Sequence, residues 1–361
     1  MKDFHYYLCR QLKGGGMEIY MKQKKVTFAD IAAYTGFSKT TISRYFNNPD
    51  SLTLENQEKI AHALDVLGYQ ENKLAKVLAN GKSEFVGIII PNLYLHYYSE
   101  MLNQLLSTYE KYNYKFLVFI GNNKKEIEEK YIHELMAYKI EGLIVLSNTI
   151  SSEELASYKL PVVTIERECD HVCNVSTDNY LGGVQATSLL IRNKCDVILH
   201  INSIFPDTLP TYGRIRGFED ICNEHHVVHE LIQRDLGNTY QETLTQLKNI
   251  FNEIEEKYPS QKKGVFLAND TYASMFLNLI FQKYGKLPKD YQIVGFDDSP
   301  IASEAILPIT TVGQQIEKIA QTAMELLVLQ MNEMKKRKPA PLKEPVHKQI
   351  TPVLIRRDTT E

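Results

Sequence analysis

Residues 26–47 read VTFADIAAYTGFSKTTISRYFN. Thr27 stands where an N-cap is expected, and Asp30, three residues on, puts a carboxylate at a helix N-terminus. Phe28, Ile31 and Ala32 share one face at helical spacing. Gly36 follows at the point where the chain must turn, because glycine takes positive φ without strain. Ser38 then caps a second helix expected over 39–46. Its Ile42, with Tyr45 or Phe46, turns inward and leaves Lys39, Thr40, Ser43 and Arg44 outside. Helix, glycine turn and a second helix with a cationic face predict a helix-turn-helix. Taken alone, the pattern fits an ordinary αα-hairpin about as well as a DNA reader.

The residues downstream narrow the choice. A third helix is expected over 53–67, capped by Thr53 and closed by Gly68. Next, residues 72–80 read NKLAKVLAN, too short for a stable isolated helix and too apolar for an exposed linker. The formal net charge of the chain is −3, yet Lys22, Lys24, Lys25, Lys39, Arg44, Lys73, Lys76 and Lys82 gather in or beside this region. A local positive field is what a polyanion meets, whatever the net charge.

At 361 residues, 24% charged and 43% hydrophobic, the chain is a soluble globular protein with more than one core. Five cysteines without a CxxC pair read as reduced thiols of a cytoplasmic protein. Cys222 beside His225, His226 and His229 reads as a solvated helix end, and no metal or cofactor is expected. No apolar run reaches the length of a membrane span, so no membrane partner is expected. Residues 1–23 are expected to be a non-native or disordered extension. Lys13-Gly14-Gly15-Gly16 before Met17 is what a translated ribosome-binding site would encode, and Met17 or Met21 then serves as the natural start. The remaining boundaries fall at 24–70 for the headpiece, 71–83 for a hinge helix and linker, and 84–361 for a core.

In that core, residues 85–91 form a continuous apolar run, as in a strand covered on both faces. Helices are then expected at 99–112, 124–138, 152–158, 179–193, 214–225, 239–258, 272–284 and 315–334. Strands are expected at 115–121, 141–147, 160–166, 197–202, 263–268 and 291–296. The alternation predicts an α/β fold of doubly wound parallel sheets with right-handed crossovers. GxGxxG after the first strand, GxxxxGK[ST], GxSxG and HExxH are all missing, and no catalytic constellation is found. Polar residues just beyond strand ends remain, where open α/β sheets bind ligands.

The chain resembles the lactose-repressor (LacI/GalR) family. The resemblance rests on Val26-Thr27, Asp30-Ile31-Ala32, Gly36-Phe37-Ser38, Thr41-Ile42-Ser43-Arg44, Leu67-Gly68-Tyr69, then Asn72, Ala75 and Leu78. Glu71 departs from the proline usual before that asparagine. In the core, Arg214-Ile-Arg216-Gly217-Phe218, Asn269-Asp270 and Gly295-Phe296-Asp297 match the family's motifs, and Thr177-Asp178-Asn179 resembles its crossing between lobes. The resemblance covers about 26–356.

It implies an all-α headpiece on a two-lobed core like that of periplasmic sugar-binding proteins, and the function follows from it. A homodimer, cytoplasmic, would bind palindromic operator DNA as a transcriptional regulator, most simply a repressor. Thr27, Ser38, Lys39, Thr40, Ser43, Arg44 and Asn47 would meet the duplex. Asn72, Ala75 and Leu78 would enter the minor groove, with Leu78 as a wedge. Tyr97, Asp178, Arg214, Asn269, Asp270 and Asp297 would hold a small-molecule effector, a sugar or sugar derivative, between the lobes. Two rival readings lack support. A solute-binding protein without a DNA role needs an export signal, and a two-domain α/β enzyme needs a catalytic group.

Overall fold

The computed structural model describes residues 7–8, 21–22, 25–70, 83–167, 170–336 and 344–361. The chain divides into two compact units, Met1–Gly81 and Lys82–Glu361. Asn72, Ala75 and Leu78, with most of the expected hinge, lie outside the described residues. So does most of 1–23, where Tyr7–Leu8 pairs antiparallel with Met21–Lys22 in the segment expected to be non-native or disordered.

The first unit carries α1 (Phe28–Thr35), α2 (Lys39–Asn47) and α3 (Leu54–Leu67). The Asp30 carboxylate accepts from the Thr27 N–H at 2.8 Å, and Gly36 turns the chain at φ 76°. Ser38 Oγ accepts from Thr41 N at 3.1 Å, which fixes where α2 begins. Ile31, Ile42, Ile60 and Ala63 are fully buried between the three helices. Burying an aliphatic side chain of this size contributes roughly 1.5–3 kcal/mol. Phe28 stacks on Phe46 with ring centroids 5.1 Å apart, and Tyr69 packs on both. Tyr45 and Phe46 both turn inward, where one of the two was expected.

The second unit is two lobes, each a six-stranded sheet covered on both faces by helices. The strands are β1 (Phe85–Ile90), β2 (Lys115–Ile120), β3 (Gly142–Val145), β4 (Val162–Ile165), β5 (Cys173–Thr177) and β6 (Val197–Ser203). They continue as β7 (His229–Arg234), β8 (Lys263–Leu267), β9 (Tyr291–Asp297), β10 (Thr310–Gly313), β11 (His347–Ile350) and β12 (Val353–Ile355). The first sheet runs β11-β5-β4-β3-β1-β2, all parallel. The second runs β12-β10-β9-β8-β6-β7, parallel except for β12. Alternation decides which core each side chain enters: Val86, Ile88 and Ile90 face one layer, Ile89 the other.

The helices that shape the cleft and its flanks are α4 (His96–Ser107), α8 (Asn179–Arg192), α9 (Gly213–Glu224), α10 (Tyr240–Lys257), α11 (Asp270–Tyr284) and α13 (Ile316–Met334). Between them in chain order come α5 (Tyr109–Tyr112), α6 (Lys125–Ala137), α7 (Ser152–Ser157) and α12 (Pro300–Glu304). The chain passes between lobes three times, at 177–179, 313–316 and 350–353. Helix α13 leaves the second sheet to pack Ile316, Ile319, Ala320, Ala323 and Leu327 on the core of the first.

Candidate functional site

Each unit presents one candidate surface. In the first, Lys39, Thr40, Arg44 and Asn47 are exposed on α2, while Ile42 anchors the helix from the opposite side. The polar side chains divide by partner. Thr27 Oγ1 donates to Asp30 at 2.7 Å, and Ser38 Oγ lies 2.7 Å from Thr40 Oγ1. Asn47 Nδ2 donates to the Ser43 carbonyl at 3.0 Å and lies 3.1 Å from its hydroxyl. Lys39 and Arg44 have no side-chain partner among the described residues. The hydroxyls and amide are thus held in place by the headpiece, whereas the two cations stand exposed on α2.

In the second unit the site lies where both sheets present the C-terminal ends of their strands. Arg214, in the first turn of α9, is buried. Its Nε donates to Asn179 Oδ1 at 2.8 Å and its Nη1 to the Ala268 carbonyl at 2.6 Å. The guanidinium lies 3.7 Å from the centroid of the Phe296 ring. A Cβ on Gly183 would stand 2.4 Å from the Arg214 carbonyl oxygen, so glycine there lets α8 and α9 approach closely enough to seat the arginine. Asn179 Nδ2 also donates to Glu166 Oε2 at 2.8 Å, which links Glu166 to Arg214 through one amide.

Asp297 closes the other side. Gln314 Nε2 donates to its Oδ1 at 2.5 Å, and Gln314 Oε1 accepts from Thr177 Oγ1 at 2.7 Å. Thr177 N donates in turn to Glu166. Burial pushes the Asp297 carboxyl well above the usual carboxylate range. The Arg214 charge opposes this, Asp270 adds to it, the Gln314 N–H opposes it and Glu166 adds to it. Arg214 and Asp297 feel each other's charge, yet no ion pair joins them among the described residues.

Asp297 and Asp298 take φ of 114° and 55°. Left-handed backbone at non-glycine residues costs ~1–3 kcal/mol each and persists where neighbours over-determine it. Arg357 Nη2 holds Asp298 Oδ1 at 2.6 Å, so each member of this like-charged pair has its own partner.

Tyr97 and Tyr98 reach the same space from the start of α4. Burial pushes the Tyr97 hydroxyl up, and the charges of Glu166 and Asp297 push it further. That buried hydroxyl has no hydrogen-bond partner among the described residues. A buried donor left unmade is costly, and a water or a ligand oxygen would satisfy it. Beside it the lobes touch directly. His96 N and Nδ1 each lie 3.0 Å from Thr271 Oγ1, and Leu95 packs on the core of the second lobe.

The expected effector residues therefore separate. Tyr97, Arg214 and Asp297 share one electrostatic neighbourhood. Asn269 is the N-cap of α11, its Oδ1 accepting from Tyr272 N at 2.8 Å. Asp178 is spent on capping α8, accepting from Leu181 N at 3.0 Å.

Asp270, also expected to hold the effector, hydrogen-bonds to Ser299 and Thr311. It is fully buried, and its oxygens accept from Thr311 Oγ1 at 2.6 Å, Ser299 N at 2.8 Å and Ser299 Oγ at 3.2 Å. Glu166, Asn179 and Gln314 were missed in the sequence. Glu166 alone carried a signal, a charge directly after the apolar run LPVVTI. Among the described residues, no group of three or more His, Cys, Asp or Glu could hold a metal, and no helix is long and apolar enough to cross a membrane.

Two family models match: bacterial regulatory proteins of the lacI family over residues 27–72, and the periplasmic binding protein-like domain over 188–360. The sucrose operon repressor of Streptococcus mutans is 26% identical over 303 residues, covering 83% of this chain and 91% of that protein. The lac repressor dimer bound to operator and the anti-inducer ONPF superposes with a TM-score of 0.76 at 21% identity, over 93% of this chain and 99% of that one. A periplasmic binding protein/LacI transcriptional regulator from Alkaliphilus metalliredigens, complexed with D-xylulofuranose, gives 0.65 at 26% identity, over 77% of this chain and all of that one.

Proposed function

Because the chain belongs to the LacI/GalR family of bacterial transcriptional regulators, we propose that it is a sequence-specific repressor, not an enzyme, whose hold on operator DNA is set by a sugar bound between its lobes. One conjunction carries the reading. Among the described residues, the same chain has a recognition helix whose exposed Lys39 and Arg44 lack internal partners, and a cleft whose Arg214 and Asp297 do not pair. A polyol suits that cleft: Arg214 donates to hydroxyl oxygens while Asp297 and the Tyr97 hydroxyl can engage hydroxyl groups. A cytoplasmic location is part of this proposal, and the DNA role supports it.

On DNA, Ser38, Thr40 and nearby lysines would hold phosphates and set register, while Lys39 and Arg44 read base edges in the major groove. Thr27, Ser43 and Asn47 would flank them, with Asn72, Ala75 and Leu78 in the minor groove. One such helix reads few base pairs, so a homodimer on a palindrome supplies the second half-site. A groove of about 380 Å³ between α10 and α11, lined by Leu244, Met275, Leu279 and Phe281 with Asn278 and Gln282 among them and flanked by Tyr240 and Ile306, offers a mixed, mostly apolar face to a second copy. Tyr240 is 50% and Ile306 61% exposed in the isolated chain, which is the cost such a partner would remove.

A mobility-shift assay with the DNA upstream of its own gene, repeated with sucrose, D-ribose, D-xylulose and cellobiose, tests the reading. Binding to that DNA, or to a site selected from random sequence, is expected, together with its loss in one of the sugars. A chain that selects no DNA at all would end the repressor reading.

Arg44→Ala should cost on the order of 1–3 kcal/mol of operator affinity and relax preference at one position per half-site. Lys25→Ala should weaken all DNA alike and reduce the salt slope by about one. Titrating both variants against operator and scrambled duplexes at several salt concentrations separates the roles. A uniform loss for Arg44→Ala would remove it from base reading.

A further inference from the structure

We propose that Asp270 is a positioning residue for the effector: it stays out of the cleft and fixes the backbone that aims Asp297 into it. This rests on the reading of the cleft as a sugar site. The carboxylate is fully buried, and each of its contacts leads to the segment beyond β9 or to the strand beside it. Ser299 gives it both its N–H and its hydroxyl, and Thr311 on β10 gives it a second hydroxyl.

The segment so held is the one in which Asp297 and Asp298 are both left-handed. Residues of this kind stay in that conformation only when several contacts leave them no alternative. Gln314 fixes Asp297 by its side chain and by its own N–H, which donates to the Asp297 carbonyl at 3.2 Å. Arg357 fixes Asp298. Asp270 fixes Ser299, the residue that follows the strained pair, and also Thr311, whose hydroxyl accepts from Asp298 N at 3.4 Å.

A second observation ties Asp270 to the strand itself. A Cβ on Gly295 would lie 2.3 Å from Asp270 Oδ1. The carboxylate therefore occupies room that only glycine leaves, two residues before Asp297. Gly295 and Asp270 act as a matched pair, and among the described residues Asp270 makes no hydrogen bond to Tyr97, Arg214 or Asp297. Nor is a helix cap the reason for an acid here, since Asn269 already caps α11. An unpaired carboxylate buried near Asp297 and Asp298 is unfavourable unless its hydrogen bonds serve something.

The test uses Asp270→Ala, Asp270→Asn and Gly295→Ala in the full chain. Two quantities are read. One is the concentration of the active sugar, from sucrose, D-ribose, D-xylulose and cellobiose, that releases half the operator. The other is hydrogen exchange of the peptide covering residues 296–301 without sugar. Asp270→Ala and Gly295→Ala should each raise the required sugar concentration by about tenfold or more, a change of ~1.4 kcal/mol. Both should speed exchange at Ser299 and leave operator affinity without sugar within about threefold of the parent chain's, ~0.7 kcal/mol.

Asp270→Asn should restore the sugar response, because its oxygen still accepts from Ser299 N and its amide can donate to Thr311. An unchanged response in Asp270→Ala despite faster exchange at Ser299 overturns the proposal. So does a folded Asp270→Asn as impaired as the alanine variant, which would make the charge itself the contact. Should Gly295→Ala fail to fold, the Asp270 pair decides. If the parent chain answers to none of the four sugars, the reading of the cleft is what is in question. The exchange measurement then stands alone: slow exchange at Ser299 in Asp270→Ala defeats the positioning role, and fast exchange supports it.

Discussion

Arg214→Ala is expected to abolish the response to sugar while leaving operator affinity in the absence of sugar largely intact. Arg214 is the cation of the cleft, and its fork is already oriented by Asn179 and the Ala268 carbonyl and stacked on Phe296. The donors not used in these contacts are therefore aimed before any ligand arrives, so little ordering remains to be done on binding. Hydrogen bonds to a charged group contribute ~1.5–3 kcal/mol each, so losing two costs a hundredfold or more in sugar affinity. The variant also deprives Asp297 of the charge that opposes its protonation. Arg214→Lys should fare little better, because a single ammonium cannot reproduce both hydrogen bonds and the flat stacking on Phe296. Calorimetry with the active sugar and a mobility-shift titration read the two properties separately. Normal sugar affinity in either variant would exclude Arg214 from the site.

The second large effect concerns acid. His200 sits in the middle of β6, fully buried and stacked on Phe266 at 4.2 Å. Its Nδ1 lies 3.0 Å from the Phe266 carbonyl, which can only accept, so Nδ1 carries the proton. Nε2 is then free to accept from Asn202 Nδ2 at 3.2 Å. The neutral ring is satisfied on both sides and has no acceptor for a second proton. Burial pushes its pKa down to about 3, the carbonyl bond works against this, and the Arg214 charge lowers it further. A depressed histidine contributes stability that is present above the unfolded pKa of 6.5 and lost as pH falls through the interval towards 3. Fully developed, the gap between 6.5 and about 3 is worth ~5 kcal/mol.

His200→Leu should be less stable than the parent at neutral pH, because the carbonyl and Asn202 lose their partner, by roughly 1–3 kcal/mol. Its deficit should shrink as pH falls from 6.5, and the order should reverse before pH 4. Urea unfolding at a series of pH values measures this directly. Parallel stability curves for the two proteins would mean that His200 is not buried as a neutral ring.

Short-range chemistry was legible in the sequence. Thr27, Gly36, Ser38, Thr53 and Gly68 mark the ends of the headpiece helices within a residue, because caps and left-handed turns are local requirements. The buried runs of β1, β6, β8 and β9 were equally plain, since strands covered on both faces are mostly apolar. The edge strands β7 and β11 were not. β7 reads HELIQR and β11 reads HKQI, in which half-buried or exposed positions keep polar residues and erase the apolar run. Helix α4 begins at His96, three residues before the expected start, because Leu95 offers no side-chain cap to announce it.

The cleft was half legible. Arg214 and Asp297 announce themselves by motif. Asn179 and Gln314 are neutral amides whose importance comes only from what the two sheets bring beside them. The hydrogen bonds of Asp270 to Ser299 and Thr311 were hidden for the same reason: the space beneath Gly295 is a property of two strands and a helix together.

The three passages between lobes bear on how this molecule can be made. Strand β11 pairs with β5, and α13 covers β3 and β4, so the first lobe is unfinished until Ile350 has been added. A nascent chain emerging from the ribosome cannot complete its first lobe and then begin its second, the order in which separate domains ordinarily mature. It must hold β5 with an open edge while β6 to β10, five of the six strands of the second sheet, are synthesised. Contacts so distant in sequence form slowly, and an unpaired strand invites other chains in the meantime. Expression should accordingly be sensitive to chaperone supply and to temperature. No single cut in the core yields two fragments that each fold, although cleaved chains could still reassemble around the shared strand.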